Sequence, residues 1–218
     1  MATPDLQAWD TRFAQDAYIF GTEPNAFLVA SASQIPQGAR VLAVADGEGR
    51  NGVWLAQQSF AVHATDGSKV AVAKSMALAK ERGVTVVHRV EDLIPGSIFH
   101  ECADSDSWVW PVGEFDAVIG IFIQFTKPQE RSAMFANMIA ALKPGGVLIL
   151  EGYHHRQLDF GTGGPQALEQ LYDQALLKDA FADLETIELR DYDVEIDEGA
   201  GHKGMSALVD YIGRTPSQ

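Results

Sequence analysis

Five near-continuous apolar runs dominate this chain: ARVLAVA (39–45), FAVHATD (60–66), VTVVHRV (84–90), FDAVIGIFI (115–123) and VLILEGY (147–153). Strands of this kind need cover on both faces, which a sheet open to water on one side does not give. The segments between them supply that cover. RNGVWLAQQ (50–58), SKVAVAKSMALAKERG (68–83) and KPQERSAMFANMIAALKPGG (127–146) read as helices. Ser68 is placed to cap the second and Gly83 to end it. Lys143-Pro144-Gly145-Gly146 closes the third. Strands alternating with helices predict an α/β fold, a Rossmann-like doubly wound sheet that is mostly parallel, with helices on both faces.

The tail has a different pattern. GPQALEQLYDQALLKDAFADL (164–184) reads as a helix, and ETIELRDYDVEIDEG (185–199) and GMSALVDYIGR (204–214) read as strands. The short link between them predicts an antiparallel C-terminal hairpin at the sheet edge. A single domain over 1–218 is expected, with 1–35 as an N-terminal helical cap and 93–114 as an insertion between the third and fourth strands. Formal net charge is −14. Such a surface repels phosphate backbones and anionic membranes, so neither nucleic acid nor membrane is an expected partner. Cys102 is the single cysteine, so no internal disulfide forms. The N-terminal residues lack the basic and apolar regions of a signal peptide, and a cytoplasmic monomer or homodimer is expected.

In open sheets of this kind ligands sit at the carboxyl ends of the strands. The first strand ends in VLAVADGEGRNG (41–52), where Gly47, Gly49 and Gly52 satisfy the dinucleotide pattern G-x-G-x-x-G. A pyrophosphate prefers backbone N–H groups with no carboxylate close by, yet Asp46 and Glu48 flank Gly47. At 4 Å and an effective dielectric near 20, each carboxylate changes the energy of a bound charge by about 4 kcal/mol before desolvation. The turn therefore favours a cation. S-adenosylmethionine, with an amine, a sulfonium and no phosphate, fits it better than NAD does. The helix N-terminus at Arg50 and Asn51 is placed for its carboxylate. Asp66 is placed to accept hydrogen bonds from the ribose hydroxyls. Asp92 and the Leu93 N–H can meet the adenine, and Gly120, Ile121 and Phe122 can cover it or line the transfer channel.

These motifs, in the order VLAVADGEGRN, HATD, VEDL, FDAVIGIF and LKPGGVLILEGY, resemble class I S-adenosylmethionine-dependent methyltransferases. WD-x-R-F, Y-x-FGTEPN, FGTGGP (160–165) and the EG…H-x-G hairpin (198–204) resemble the bacterial branch related to tellurite-resistance and thiopurine methyltransferases. The chain departs from that pattern at Ala43 and Ala45, where the family often has an acid and a glycine. The resemblance implies methyl transfer to a small-molecule acceptor, such as a thiol or a selenium or tellurium species, with S-adenosylhomocysteine as product. It also implies that Tyr18 and Phe20 fold over the cofactor, with Trp9 near them. Gly67, Ser68 and Glu91 complete the expected cofactor set with Asp46, Gly47, Glu48, Gly49, Asn51, Asp66, Asp92, Leu93, Gly120, Ile121 and Phe122.

Candidate catalytic groups are His154 and Arg156, which follow the fifth strand, and His202 in the hairpin. A soft nucleophile needs little base catalysis, whereas an oxygen nucleophile usually needs a base. The histidine spacing matches no metal-ligand pattern, so no metal is expected. Two competing readings are a catalytically silent S-adenosylmethionine-binding protein and, with less support, an NAD-dependent oxidoreductase.

Overall fold

The computed structural model describes residues 6–91, 93 and 109–217. Its strands are β1 (Arg40–Val44), β2 (Ala61–Asp66), β3 (Val87–Val90), β4 (Phe115–Ile121), β5 (Leu142–Tyr153), β6 (Glu185–Asp197) and β7 (Lys203–Arg214). They form one sheet in the order β3-β2-β1-β4-β5-β7-β6. The pairs β1–β2, β1–β4, β2–β3 and β4–β5 are parallel, while β7 runs antiparallel to both β5 and β6. The doubly wound fold and its antiparallel edge are as the sequence predicts.

Helices lie on both faces, which is why the central strands carry no polar alternation. Leu148 and Leu150 of β5 join one core with Met134, Phe135 and Met138 of α5 (Pro128–Ala141). Val147 and Ile149 join the other. That second core contains Phe27 and Leu28 of α2 (Ala26–Ser31) and Leu55 of α3 (Arg50–Gln57). α1 (Leu6–Phe13) lies against α4 (Lys69–Glu81). Ser68 caps α4 by accepting from the Ala71 N–H at 3.1 Å. The chain leaves β1 toward β2 and β3, then returns to place β4 on the other side of β1. This reversal opens a crevice at the carboxyl ends of β1 and β4.

Three elements differ from expectation. α5 stops at Ala141, and Lys143 to Gly146 belong to β5. The expected helix 164–184 is broken into a 3-10 turn at Leu168–Gln170 and a short helix at Gln174–Ala180. Burial overrides helix propensity there. Leu171 and Tyr172 are fully buried, and the Tyr172 N–H donates to the Tyr153 carbonyl at 3.0 Å, pinning the chain in extended form. Asp173 then restarts a helix by accepting from the Leu176 N–H at 2.7 Å. Finally, β3 begins at Val87 where 84 was expected. Most of the expected insertion 93–114 lies outside the described residues. Among the described residues no helix is long and apolar enough to cross a membrane.

Candidate active site

The turn after β1 is shaped by close packing. Ala45 takes a left-handed conformation (φ +50), as do Gly47 (φ +59) and Gly49 (φ +93). Ala45 stands where the resembled family often has glycine, and its backbone carries the strain that glycine would avoid. A Cβ on Gly49 would fall 2.1 Å from Ser75 Oγ on α4, so this glycine permits the contact between α3 and α4. A Cβ on Gly52 would lie 2.4 Å from Asp46 Oδ2. The last glycine of the pattern therefore makes room for a carboxylate.

Asp46 Oδ1 accepts from the Gly52 N–H at 3.0 Å, while Oδ2 is buried and has no hydrogen-bond partner. Burial pushes the Asp46 carboxyl up to about 7, with the Gly52 N–H opposing. Asp66 ties two loops together, accepting from the Gly47 N–H at 2.9 Å and the Ser68 N–H at 2.8 Å. Burial raises it to about 6 against those two hydrogen bonds. Both carboxyls line a cavity of about 470 Å³, within the roughly 300–1,000 Å³ range of small-molecule sites.

Glu48 has a different role from the one its position in the turn suggests. Its side chain is 2% exposed and forms an ion pair with Lys74 at 2.5 Å. It also accepts from the Ile19 N–H at 2.8 Å and the Phe20 N–H at 3.4 Å. Lys74 in turn donates to the carbonyls of Phe13, Gln15 and Ala17. Glu48 is thus committed to the N-terminal segment and is not free for a cofactor amine. Asn51 is likewise engaged, its Oδ1 accepting from the Asn25 N–H at 2.9 Å. Ser68 Oγ donates to Asp10 Oδ1 at 2.5 Å.

The hairpin tip between β6 and β7 brings in the other wall. The Gly201 N–H donates to the Ile19 carbonyl at 2.9 Å. A Cβ on Gly201 would strike Phe20 at 2.4 Å, and one on Gly199 would strike the Gly21 nitrogen at the same distance. These glycines let the tip settle on residues 19–21. His202 then lies between the Phe20 ring (4.4 Å between centroids) and the Phe122 ring (4.2 Å), with Tyr153 at 5.7 Å. It is 8% exposed, its Nδ1 has no partner, and burial lowers its pKa to about 3. The imidazole is therefore neutral across physiological pH. Phe122 reaches this position through a left-handed backbone (φ +56).

A polar network supports the wall. Arg50 pairs with Glu198 at 2.7 Å. Asn25 Nδ2 donates to Glu198 Oε1 at 3.1 Å and to Glu151 Oε1 at 2.6 Å. Glu151 is buried directly opposite Asp210 on β7, and burial with that neighbouring carboxylate raises it well above the usual range. Gln124 Nε2 donates to the Tyr153 carbonyl at 2.8 Å, and Gln124 Oε1 accepts from the Tyr153 N–H at 2.5 Å.

Of the expected cofactor residues, Phe20, Asp46, Gly47, Glu48, Asn51, Asp66, Gly67, Ser68, Leu93, Ile121 and Phe122 line the cavity. Five others do not. Tyr18 packs against Val53, Leu78 and Ala79, and its hydroxyl donates to the Lys74 carbonyl at 3.1 Å. Gly49 serves helix packing. Gly120 faces Ile123, Met138 and Leu150. Glu91 sits beside Arg89 at 3.9 Å. Asp92 lies outside the described residues.

Of the catalytic candidates, His202 lines the cavity. His154 and Arg156 are outside it. His154 Nδ1 accepts from the Arg156 N–H at 3.1 Å, and Arg156 is bound by Asp191 (2.8 Å) and Asp193 (2.9 Å) on β6. The side chains of Arg12, Arg50, Gln124, Tyr153 and Gln170 also line the cavity and were not in the expected set. Tyr153 had a signal, as it ends the fifth strand. Arg50 was expected only through its helix N-terminus, Arg12 is brought in by the packing of α1 on α4, and Gln124 and Gln170 meet through a hydrogen bond from Gln124 Nε2 to the Gln170 carbonyl at 3.2 Å. No group of three or more metal-ligating side chains is found among the described residues.

An orphaned, buried Asp46 oxygen beside Asp66 fits a cationic nucleoside such as S-adenosylmethionine. The raised pKa values have a defined consequence. In the ligand-free protein both groups favour protonation, a stabilisation present at low pH and lost as pH rises through about 6 to 7. A bound ammonium reverses this preference. Binding of S-adenosylhomocysteine near pH 6.5 is therefore expected to release protons, and affinity to rise with pH by up to about tenfold per unit. Calorimetry in buffers of different ionisation enthalpy measures the release. Asp46→Asn should reduce it, and no release from the parent protein would refute the assignment.

A family model described as a methyltransferase domain matches residues 41–146. None of the curated proteins matches the chain in a sequence search. Among solved structures, one described as "Conversion of a Disulfide Bond into a Thioacetal Group during Echinomycin Biosynthesis" is similar at TM-score 0.75 and 17% identity, with 97% of this chain and 92% of that one covered. TehB from Haemophilus influenzae is similar at TM-score 0.67 and 15% identity, over 95% of this chain and 65% of that one. The N-methyltransferase NodS from Bradyrhizobium japonicum WM9, in complex with S-adenosyl-L-homocysteine, is similar at TM-score 0.65 and 13% identity, over 97% and 98%. At these identities the structures show a shared fold. The family match falls on the segment that builds β1 to β4 and the turn holding Asp46. Residues 41–146 thus match a methyltransferase domain, and the chain has the Rossmann-like fold that the similar structures share.

Proposed function

We propose that the protein methylates a small-molecule acceptor with a soft nucleophile, a thiol or a reduced selenium or tellurium species. The observation that carries this reading is the neutral His202 held between two phenylalanine rings at the acceptor end of the cavity. A base whose conjugate acid has a pKa of about 3 takes a proton poorly from an alcohol or phenol. A thiolate or chalcogenide anion needs no such help. The tellurite and thiopurine branch that the sequence resembles belongs to the same reading.

The cofactor supplies an electrophilic methyl group on a sulfonium, displaced in line. The protein's residues position the partners and exclude water. In this reading the orphaned Asp46 oxygen takes the amine and Asp66 accepts from the ribose. Phe20, Phe122 and Tyr153 close the acceptor side, where aromatic faces favour a nearby cation. Dry walls matter because the nucleophile must come within about 3–3.5 Å of the methyl carbon with no competing water. His154 and Arg156, outside the cavity, take no part.

Turnover of radiolabelled cofactor against thiols, selenide, telluride and small phenols tests the proposal. Methylation of thiols or chalcogen species, and not of phenols, is the expected outcome. Asp66→Ala should weaken S-adenosylhomocysteine binding by about 1–3 kcal/mol through lost charged hydrogen bonds. Preferred methylation of phenols would overturn the soft-nucleophile reading. Tight cofactor binding without turnover on any acceptor would favour a silent binding protein.

A further inference from the structure

The cavity lining combines two kinds of group. Asp46 and Asp66 are acidic. The rings of Trp9, Phe20, Phe122 and Tyr153 are aromatic, and Arg12 also lines the cavity. Arg12 occupies the last turn of α1 and lies over the Trp9 ring at 4.9 Å and the Phe20 ring at 5.2 Å. His202 lies tilted against the same Phe20 ring. The charge of Arg12 reaches both His202 and Tyr153, since it disfavours protonation of His202 and favours ionisation of Tyr153.

Arg12 has no carboxylate partner among the described residues. Its near neighbour Asp10 is engaged by Ser68, and the other cavity arginine, Arg50, is neutralised by Glu198. Stacking occupies the faces of a guanidinium and leaves its in-plane N–H donors free. Those donors match a carboxylate in a bidentate fork. In a chain of net charge −14, the overall field repels anions. A small acid would need a local cation to enter.

Building on the methyl-transfer reading, we infer that the acceptor carries a carboxylate that Arg12 holds beside the aromatic rings of the cavity. Arg12 is then a specificity-determining residue. The carboxylate is the handle, and the methyl group goes to another atom of the same molecule.

Two probes differing only in this handle test the inference: 2-mercaptobenzoate and benzenethiol. Binding of each is measured to the S-adenosylhomocysteine-loaded protein and to the ligand-free protein. The parent protein should bind 2-mercaptobenzoate at least tenfold more tightly. Arg12→Gln should bring the two probes within about twofold of each other and leave S-adenosylhomocysteine affinity within twofold. Arg12→Lys, which keeps the charge but loses the fork, should retain only part of the preference. Equal binding of the probes by the parent protein, or a preference that survives in Arg12→Gln, would overturn the inference. Failure of S-adenosylhomocysteine to bind would instead bring down the methyl-transfer reading, and the ligand-free arm would still decide the role of Arg12.

Discussion

Glu48→Ala is expected to destabilise the protein by about 3–5 kcal/mol, the usual consequence of breaking a buried ion pair from one side. In a chain of this length that lowers Tm by roughly 10 °C. The reason is geometric. The Glu48 carboxylate, 2% exposed, holds the Lys74 ammonium and the backbone N–H groups of Ile19 and Phe20. Its loss leaves the half-buried Lys74 ammonium without its counter-charge and two backbone donors short of an acceptor. The expected readout has two parts. Thermal unfolding should report the lost stability. Limited proteolysis should report faster cleavage near residues 14–20, because the contacts holding that segment to α4 pass through Lys74. A double-mutant cycle with Lys74→Met separates the pair from its surroundings. The double variant should cost less than the sum of the single ones, because no unpaired charge remains. Additive losses would show that the pair is not coupled.

The second large effect is expected at Gly49. Gly49→Ala should cost about 3 kcal/mol or more, combining a left-handed backbone with an overpacked contact. Gly83 provides the comparison. It has a similar positive φ (+67) with nothing within 4 Å of an added Cβ, whereas a Cβ at Gly49 would meet Ser75 Oγ, Cβ and Cα at 2.1, 2.7 and 2.9 Å. Gly83→Ala should therefore cost only about 1–2 kcal/mol, the backbone component alone. Denaturant unfolding of the two variants measures the difference. Equal losses would show that the approach of α3 to α4 is not the constraint. Ser75→Gly, added to Gly49→Ala, should recover part of the loss by removing two of the three colliding atoms.

Both effects arise within the turn VLAVADGEGRNG. Its glycines and acids are visible in the sequence, and they do form the turn at the carboxyl end of β1. Their roles divide in a way that spacing does not reveal. Gly49 serves helix packing and Gly52 gives space to a carboxylate. Asp46 lines the cavity and keeps a buried, unpartnered oxygen against Gly52, while Glu48, two residues on, holds the N-terminal segment. By spacing alone, both acids count toward the bound cation. Lys74, on a helix that carries no part of the motif, takes Glu48 out of that sum. The acceptor side was less legible still. His154 and Arg156 stand at a strand end, as catalytic groups often do, but Arg156 turns to the aspartates of β6. His202 belongs to the site because Gly199 and Gly201 allow the hairpin tip to lie on residues 19–21.

Local chemistry in the sequence determined the strands, their burial on both faces, the parallel order with its antiparallel edge, and the position of the acidic turn. Apolar runs, helix caps and glycine turns act over a few residues, so their consequences are written in neighbouring letters. Tertiary structure alone decided which carboxylate of the turn is paired and which keeps an unpartnered oxygen, which histidine is enclosed by aromatic rings, and that Arg12 stands beside them with no carboxylate partner among the described residues. Those outcomes depend on which side chains reach each other across α1, α4 and the β6–β7 tip, and on the desolvation that follows when they do.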